Sequence, residues 1–389
     1  MAARFGSLRL YFLVVLLLIG IVACQAAPAT TPPTAPQAAT VTAPTTAPQA
    51  ATVAPTVRVA APADREAALV EAAKKEGQLT IWSVSGEYVP QSLVKFQQRY
   101  PFIKINAVKL GNTEIAQRVL AENKAGLHNV DVIHVPVAQL LDVRKAELLE
   151  KYDWPNTAAW PKEIRTSGDG YYSVFMAVYN TVAYNTKLIA AKDAPTSWEA
   201  LIDPKWKGKT VISLSPTEQL LLSAAMWGKD GKLDWDKATK YWDDFFRVVA
   251  PATTSSHTPA ATMLAAGEYS LWVTSPTSVV TRMARDENAP IALTLISPIA
   301  GPSRGIAIVK NAPHPNAAKL LADYWTSTEG QVEFAEAAVQ TPMDPKAVAL
   351  SQSSRDLAKL DLFMLPIEVT TAENTKRSAD YWNKMLGVK

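Results

Sequence analysis

An α/β fold of two lobes, each with a mainly parallel sheet covered by helices, is predicted by three observations. Short apolar strand patterns alternate with amphipathic helices at βαβ spacing from Gln78 to Val135. The same alternation resumes at Lys209 and runs to Val309. The chain has 389 residues, 48% of them hydrophobic, enough to fill the cores of roughly two domains.

Asp64 is a suitable N-cap for a helix through Glu76, with Ala67, Leu69, Val70 and Ala73 on its apolar side and Gly77 as its stop. Gln78–Val84 then reads as a strand, Val89–Tyr100 as an amphipathic helix ended by Pro101, and Ile103–Val108 as a second strand. Asn112–Ala125 is a helix before Gly126, and Val130–Val135 a third strand. In the second series, Lys209–Leu214, Tyr269–Thr274, Ile291–Ile296 and Gly305–Val309 read as strands. Helices are expected at Thr217–Met226, Leu233–Val248, Thr262–Ala266 and Thr277–Arg285, then at Asn316–Thr326, Glu329–Ala338 and Asp380–Leu386.

The N-terminus carries a different signal. Arg4 and Arg9 precede an apolar run, Leu10–Val22, which ends in Ile21-Val22-Ala23-Cys24. A basic start, a short apolar run and a small residue before the cut describe a secretory signal. The run is shorter than the ~20 residues of a membrane span. The ending resembles a bacterial lipobox, with Ile21 where leucine is commoner, which makes Cys24 the lipidated first residue of the mature chain. Cys24 is the one cysteine present, so no disulfide is available and packing must supply the stability. Residues 1–23 are the expected signal peptide. Residues 24–63, nearly all Ala, Pro, Thr, Gln and Val, with TAPQAATV occurring twice, are an expected extended tether. An extracytoplasmic protein held at a membrane by its lipid follows.

Charge and motifs exclude other classes. The net charge is +3 and its cations are spread along the chain, without the basic face of a nucleic-acid binder. His128, His134, His257 and His314 are scattered, no paired cysteines or phosphate loop occur, and neither metal nor cofactor is expected. Gly301-Pro302-Ser303-Arg304-Gly305 matches the hydrolase pattern G-x-S-x-G, but it precedes a strand rather than joining a strand to a helix, and so reads as a turn.

Tyr184-Asn185-Thr186, followed by Ala194-Pro195-Thr196-Ser197-Trp198 and Asp203-Pro204-Lys205-Trp206-Lys207-Gly208, resembles the signature stretch of bacterial extracellular solute-binding proteins of the ferric-iron-type group. The LTIWSVSG strand and loop, Asn129-Val130-Asp131-Val132, Ala266-Gly267-Glu268 and Tyr324-Trp325-Thr326-Ser327 support it in order, over roughly Ala67–Met343. The resemblance implies the periplasmic-binding fold of type II: two doubly wound lobes joined by two crossover strands, with a ligand cleft between them. The crossovers are expected near Val174–Val182 and Ile296–Pro302. Lobe 1 is then 64–176, lobe 2 is 177–297, and 298–389 returns to lobe 1 with the C-terminal helices. The implied function is capture of a small-molecule ligand by hinge closure and delivery to an ABC permease, by a monomer that performs no catalysis. A sensor module of the same fold and a secreted α/β enzyme are the alternatives, separated by loss of signalling or by turnover of the bound compound.

Ligands of parallel sheets sit at strand carboxyl ends beside helix N-termini. Three such loops are rich in hydroxyls: Ser83-Val84-Ser85-Gly86, Ser213-Leu214-Ser215-Pro216-Thr217 and Thr274-Ser275-Pro276-Thr277-Ser278. Ser83, Ser85, Gly86, Ser215, Thr217, Thr274, Ser275 and Thr277 are therefore candidate ligands for a carboxylate or oxyanion, although Ser and Thr also serve as plain N-caps. Arg304 would pair with an anion, and Trp82 and Tyr172 would add an aromatic wall. A ferric site requires hard anionic oxygens, and the family's iron binders resemble one another in a tyrosine pair after the second lobe's Gly-Glu strand. Val273-Thr274-Ser275-Pro276-Thr277 occupies that position, and the tandem Tyr171-Tyr172 lies earlier in the chain.

Overall fold

The computed structural model describes residues 62–386, apart from 161–168, 214–218, 255, 295, 356 and 358–359. The expected signal, Cys24 and the tether up to residue 61 lie outside the described residues, as do Ser215 and Thr217, while the last two residues assigned to the tether already belong to the first helix.

The chain begins with α1 (Pro62–Glu76), β1 (Gln78–Ser83), α2 (Val94–Arg99), β2 (Lys104–Lys109), α3 (Asn112–Lys124), β3 (Val132–Pro136) and α4 (Val137–Lys145). Gly77 ends α1 with φ 66, a backbone state that costs glycine little. The helix expected over Val89–Tyr100 is broken at its start. Pro90 donates no N–H, and the segment makes the tight bonds Ser92 N–H to Val89 O and Leu93 N–H to Pro90 O before α2 begins.

The middle of the chain supplies β4 (Ser173–Ala177), β5 (Asn180–Asn185), β6 (Thr210–Ser213), α5 (Gln219–Trp227), α6 (Trp235–Val249), β7 (Ala252–Thr254), α7 (His257–Ala266), β8 (Leu271–Pro276), α8 (Thr277–Asp286) and β9 (Ile291–Leu293). The remainder is β10 (Ile299–Gly301), β11 (Ser303–Ile308), α9 (Pro315–Thr326), α10 (Thr328–Ala338), β12 (Thr341–Pro342), α11 (Pro345–Leu350), α12 (Gln352–Arg355), β13 (Leu362–Met364) and α13 (Ala372–Leu386).

Two sheets result. The first runs β12-β4-β11-β3-β1-β2, with β1 parallel to β2 and β3 and with β11 antiparallel to β3 and β4. The second runs β13-β10-β5-β8-β6-β7, with β6 parallel to β7 and β8 and with β5 antiparallel to β8, β9 and β10. Helices cover both faces of each. On β1, Leu79 and Ile81 enter the core formed with Phe96, Leu321 and Trp325, while Trp82 enters the opposite core with Ile115, Val119 and Leu140. Each such aliphatic side chain contributes about 1.5–3 kcal/mol of burial.

The chain passes from the first sheet to the second at Val178–Tyr179 and back at Pro302. The two crossings touch. A Cβ on Gly301 would stand 2.3 Å from Val178 O and 2.7 Å from Tyr179 Cα, so only glycine permits this approach. The G-x-S-x-G pattern is thus a crossover, and a Cβ on Gly305 would stand 2.5 Å from Leu140 Cδ1 and 3.0 Å from Ser173 O.

The C-terminal tail departs from expectation. The chain crosses a third time after α12, because β13 pairs with β10 of the second sheet. The fully buried Trp382 of α13 packs 5.5 Å from Trp242 of α6, and Tyr381 Oη donates to Asp243 Oδ1 at 2.9 Å. Residues 362–386 therefore add a strand and a helix to the second lobe, while Leu362, Met364 and Ile367 also pack against the first lobe's core. The reason is the aromatic outer face of α6, which needs an apolar cover.

Candidate ligand cleft

In the first lobe β1 ends at Ser83 and β3 at Pro136; in the second β6 ends at Ser213 and β8 at Pro276. Each lobe places a serine–histidine pair at these ends. Ser83 Oγ lies 2.9 Å from His134 Nδ1 and accepts the Ser85 N–H at 3.0 Å. Gln340 Nε2 donates to Ser85 Oγ at 2.9 Å. The His134 ring is edge-on to Phe175 and Phe334, and burial, aided by the positive charge of Arg304, holds its pKa well below the ordinary value.

The second pair is built on Ser213. Its Oγ lies 2.8 Å from His257 Nδ1 and accepts the Trp272 indole N–H at 2.9 Å. Thr274 Oγ1 donates to Ser213 O, and Thr274 itself holds φ 63. A β-branched residue in that region is strained, and strain persists where surrounding contacts enforce it. Here the enforcing contacts bind the end of β8 to β6, opposite a bulge between Thr181 and Val182 of β5. Ser275 Oγ donates to Thr181 O at 3.2 Å, and the Thr277 N–H donates to Tyr179 O at 2.9 Å, which fastens the start of α8 to the first crossover. Burial, then Arg304, lowers the pKa of His257 to about 4.

Arg304 follows the second crossover directly and acts on both histidines. Arg304 pairs with Pro136 at the end of β3, two residues beyond His134. Two further contacts bridge the lobes: Arg282 of α8 lies 5.2 Å over the Tyr88 ring, and Arg285 Nη1 donates to Glu336 O at 3.4 Å. Between β3, the second crossover and the returning tail is a cavity of about 130 Å³, lined by Pro136, Val137, Gln139, Leu221, Ser303 and Leu365 among others. It is smaller than the ~300–1,000 Å³ of common ligand sites.

The structure gathers Ser83, Ser85, Thr274, Ser275, Thr277 and Arg304 at the interlobe region. The five hydroxyl residues are all buried, and most of their polar groups serve the protein's own bonds, so they shape the cleft more than they line it. Gly86 is a packing residue: a Cβ there would stand 2.6 Å from Lys109 Cα. Trp82 lies in the core beneath α3, with the Arg118 guanidinium 4.4 Å over its ring. Tyr172 is in the same core, where burial pushes its phenol up to about 12. Its neighbour Tyr171 is covered at 3.5 Å by Arg144, whose charge opposes a cation there. Sequence reasoning missed His134, His257, Gln340 and Tyr179. Tyr179 is buried beside the crossovers, its phenol raised to about 12 by desolvation. Among the described residues no cluster of three or more His, Cys, Asp or Glu is placed to hold a metal ion, and no helix is long and apolar enough to cross a membrane.

Residues 91–360 match the model of the bacterial extracellular solute-binding protein family. The chain is 22% identical over 263 residues to a probable ABC transporter periplasmic-binding protein of Sinorhizobium fredii, covering 64% of this chain and 70% of the relative. Among solved structures it is similar to the periplasmic binding protein AfuA of Actinobacillus pleuropneumoniae with bound fructose-6-phosphate (TM-score 0.64, 22% identity, 80% of this chain and 99% of that one). It is also similar to the ferric iron-binding protein A of Mannheimia haemolytica in an open conformation (TM-score 0.63, 16% identity, 80% and 99%). Iron-bound HitA of Pseudomonas aeruginosa gives a TM-score of 0.62 at 21% identity, over 79% of this chain and 98% of that one. The two-lobed α/β fold is that of the periplasmic binding proteins, and the chain belongs to the bacterial extracellular solute-binding protein family.

Proposed function

We propose that the protein is the lipid-anchored solute-binding component of an ABC-type importer, which captures a small organic anion or oxyanion between its lobes and passes it unchanged to a membrane permease. The observation that supports this reading is a Ser–His pair at the strand ends of each lobe, Ser83–His134 and Ser213–His257, with the positive charge of Arg304 felt by both histidines. A cation flanked by hydroxyls and imidazoles at strand ends is chemistry for an anion, and closure removes water from it. Lipidation at Cys24 would hold the protein outside the cytoplasm at the membrane surface, as a monomer on its tether.

Ferric iron is the second reading, favoured by the likeness to the M. haemolytica iron-binding protein. Against it stand Thr274, Ser275 and Thr277 where a tyrosine pair would be needed, and the burial of Tyr172 in a core. Native mass spectrometry of the full chain, released from membranes in mild detergent, tests both. One organic anion per chain is expected. A visible charge-transfer band with stoichiometric iron overturns the anion reading, and conversion of the released compound overturns the transport reading. Labelling with radioactive palmitate, lost in Cys24→Ser, checks the anchor.

A further inference from the structure

A second cavity lies on the other side of the β5–β8 junction, where Thr181, whose carbonyl accepts from Ser275 Oγ, is part of its lining. It holds about 740 Å³ and is bordered by β5, α8 and β9 of the second lobe and by Gln352 and Ser353 of α12, Leu357 and Leu360. It shares no lining residue with the smaller cleft cavity. We infer that this cavity is a second binding site, for an uncharged organic molecule with a largely apolar body and a hydrogen-bonding group.

Volume and shape suit such a ligand, since common sites span ~300–1,000 Å³ with mostly apolar walls. The walls are Val280, Ala284, Ile291, Leu293, Leu357 and Leu360 in the main. Arg285 is the one charged residue in the lining, and its guanidinium is held by Asp286 at 2.6 and 3.1 Å and by Glu336 O. The lining therefore makes no call for a charged ligand.

The second observation is independent of volume. Thr181 and Thr294 both line the cavity, both are at least 97% buried, and neither hydroxyl has a hydrogen-bond partner among the described residues. They are neighbours, because the Thr294 N–H donates to Val182 O on the strand that carries Thr181. Buried hydroxyls are nearly always satisfied, and an adjacent unsatisfied pair is costly unless something supplies the bond. A ~120° step about χ1 carries a threonine hydroxyl into the position its methyl held, which would present either hydroxyl to an occupant. A ligand carbonyl or hydroxyl there would satisfy the pair while its body fills the apolar space.

The test is a fluorescence titration of the full chain with Nile red, a neutral dye with a carbonyl group whose emission reports polarity. Saturable binding of one dye per chain is expected. Filling the cavity with Ala284→Phe should weaken it at least about tenfold, and the isosteric pair Thr181→Val with Thr294→Val by about fivefold. Arg304→Ala, in the cleft, should leave it unchanged. Circular dichroism establishes that each variant is folded, and Thr281→Leu on the cavity wall replaces Ala284→Phe if that chain does not fold. Absence of saturable binding, equal binding to the filled variants, or loss of binding in Arg304→Ala each overturns the second site.

Discussion

Ser213→Ala should destabilise the second lobe by about 2–4 kcal/mol. The serine hydroxyl accepts from Trp272 Nε1 and meets His257 Nδ1. Trp272 is fully buried, so its indole N–H would have no replacement partner, at a cost of about 1–3 kcal/mol. His257 is less buried than Trp272, so the loss of its bond is worth about 1 kcal/mol. A lobe of this size loses roughly 2–4 °C in Tm per kcal/mol, which puts the fall in the range of about 4–16 °C. Differential scanning calorimetry of Ser213→Ala, Trp272→Phe and the double variant closes a thermodynamic cycle. Removing the indole N–H should cost much less once Ser213 is gone, because it relieves the unsatisfied donor. Equal cost of Trp272→Phe in both backgrounds, or a loss below about 0.5 kcal/mol for Ser213→Ala, would refute the assignment of Ser213 as the organising group.

Gly301→Ala should cost about 3 kcal/mol in urea denaturation and alter the solution scattering profile, because its methyl meets the backbone of the first crossover; a neutral variant would show that the crossings separate freely. Trp382→Ala should cost about 3–5 kcal/mol, read as loss of the second lobe's thermal transition, whereas an unchanged transition would deny that α13 belongs there. Arg282→Ala removes a cation–π contact worth about 0.5–1 kcal/mol, and should raise the radius of gyration of the ligand-free protein toward a more open state. Acid should destabilise the fold. His257 titrates near 4 when folded against 6.5 for the free side chain, so the unfolded chain takes up protons first, and stability present above 6.5 falls as the pH drops toward 4. His257→Gln should flatten the urea midpoint over that window, and an unchanged pH slope would contradict the burial of this imidazole.

Much of the fold was legible because strands and helices leave periodic traces. The βαβ series from Gln78 to Val135 and the helices α9 and α10 follow directly from apolar spacing and glycine stops. Strand parity was available as well. With Leu79, Ile81 and Ser83 on one face of β1, Trp82 must enter the other core, so the tryptophan and Ser83 cannot share a wall. The histidines were harder. His134 lies at the end of one strand and His257 at the start of a helix, and no spacing connects either to its serine; only sheet order brings them within reach. Ser83 and Thr274–Thr277 do fall at strand ends, yet a serine that caps or braces a strand end looks the same in sequence as one that touches a ligand. The tail was misplaced for a related reason: Tyr381 and Trp382 announce an apolar face, while the partner face on α6 lies more than a hundred residues away.

The third crossing bears on how the molecule is made. The second lobe begins near Tyr179, yet its sheet gains β13 and its aromatic core gains Trp382 only from the last residues of the chain. Until synthesis has finished, that lobe lacks an edge strand and leaves the α6 face uncovered. The first lobe is short of β11 and β12 over much of the same interval. Neither half can close early: the late segment that completes the second sheet and covers the α6 face sets when that lobe can lock.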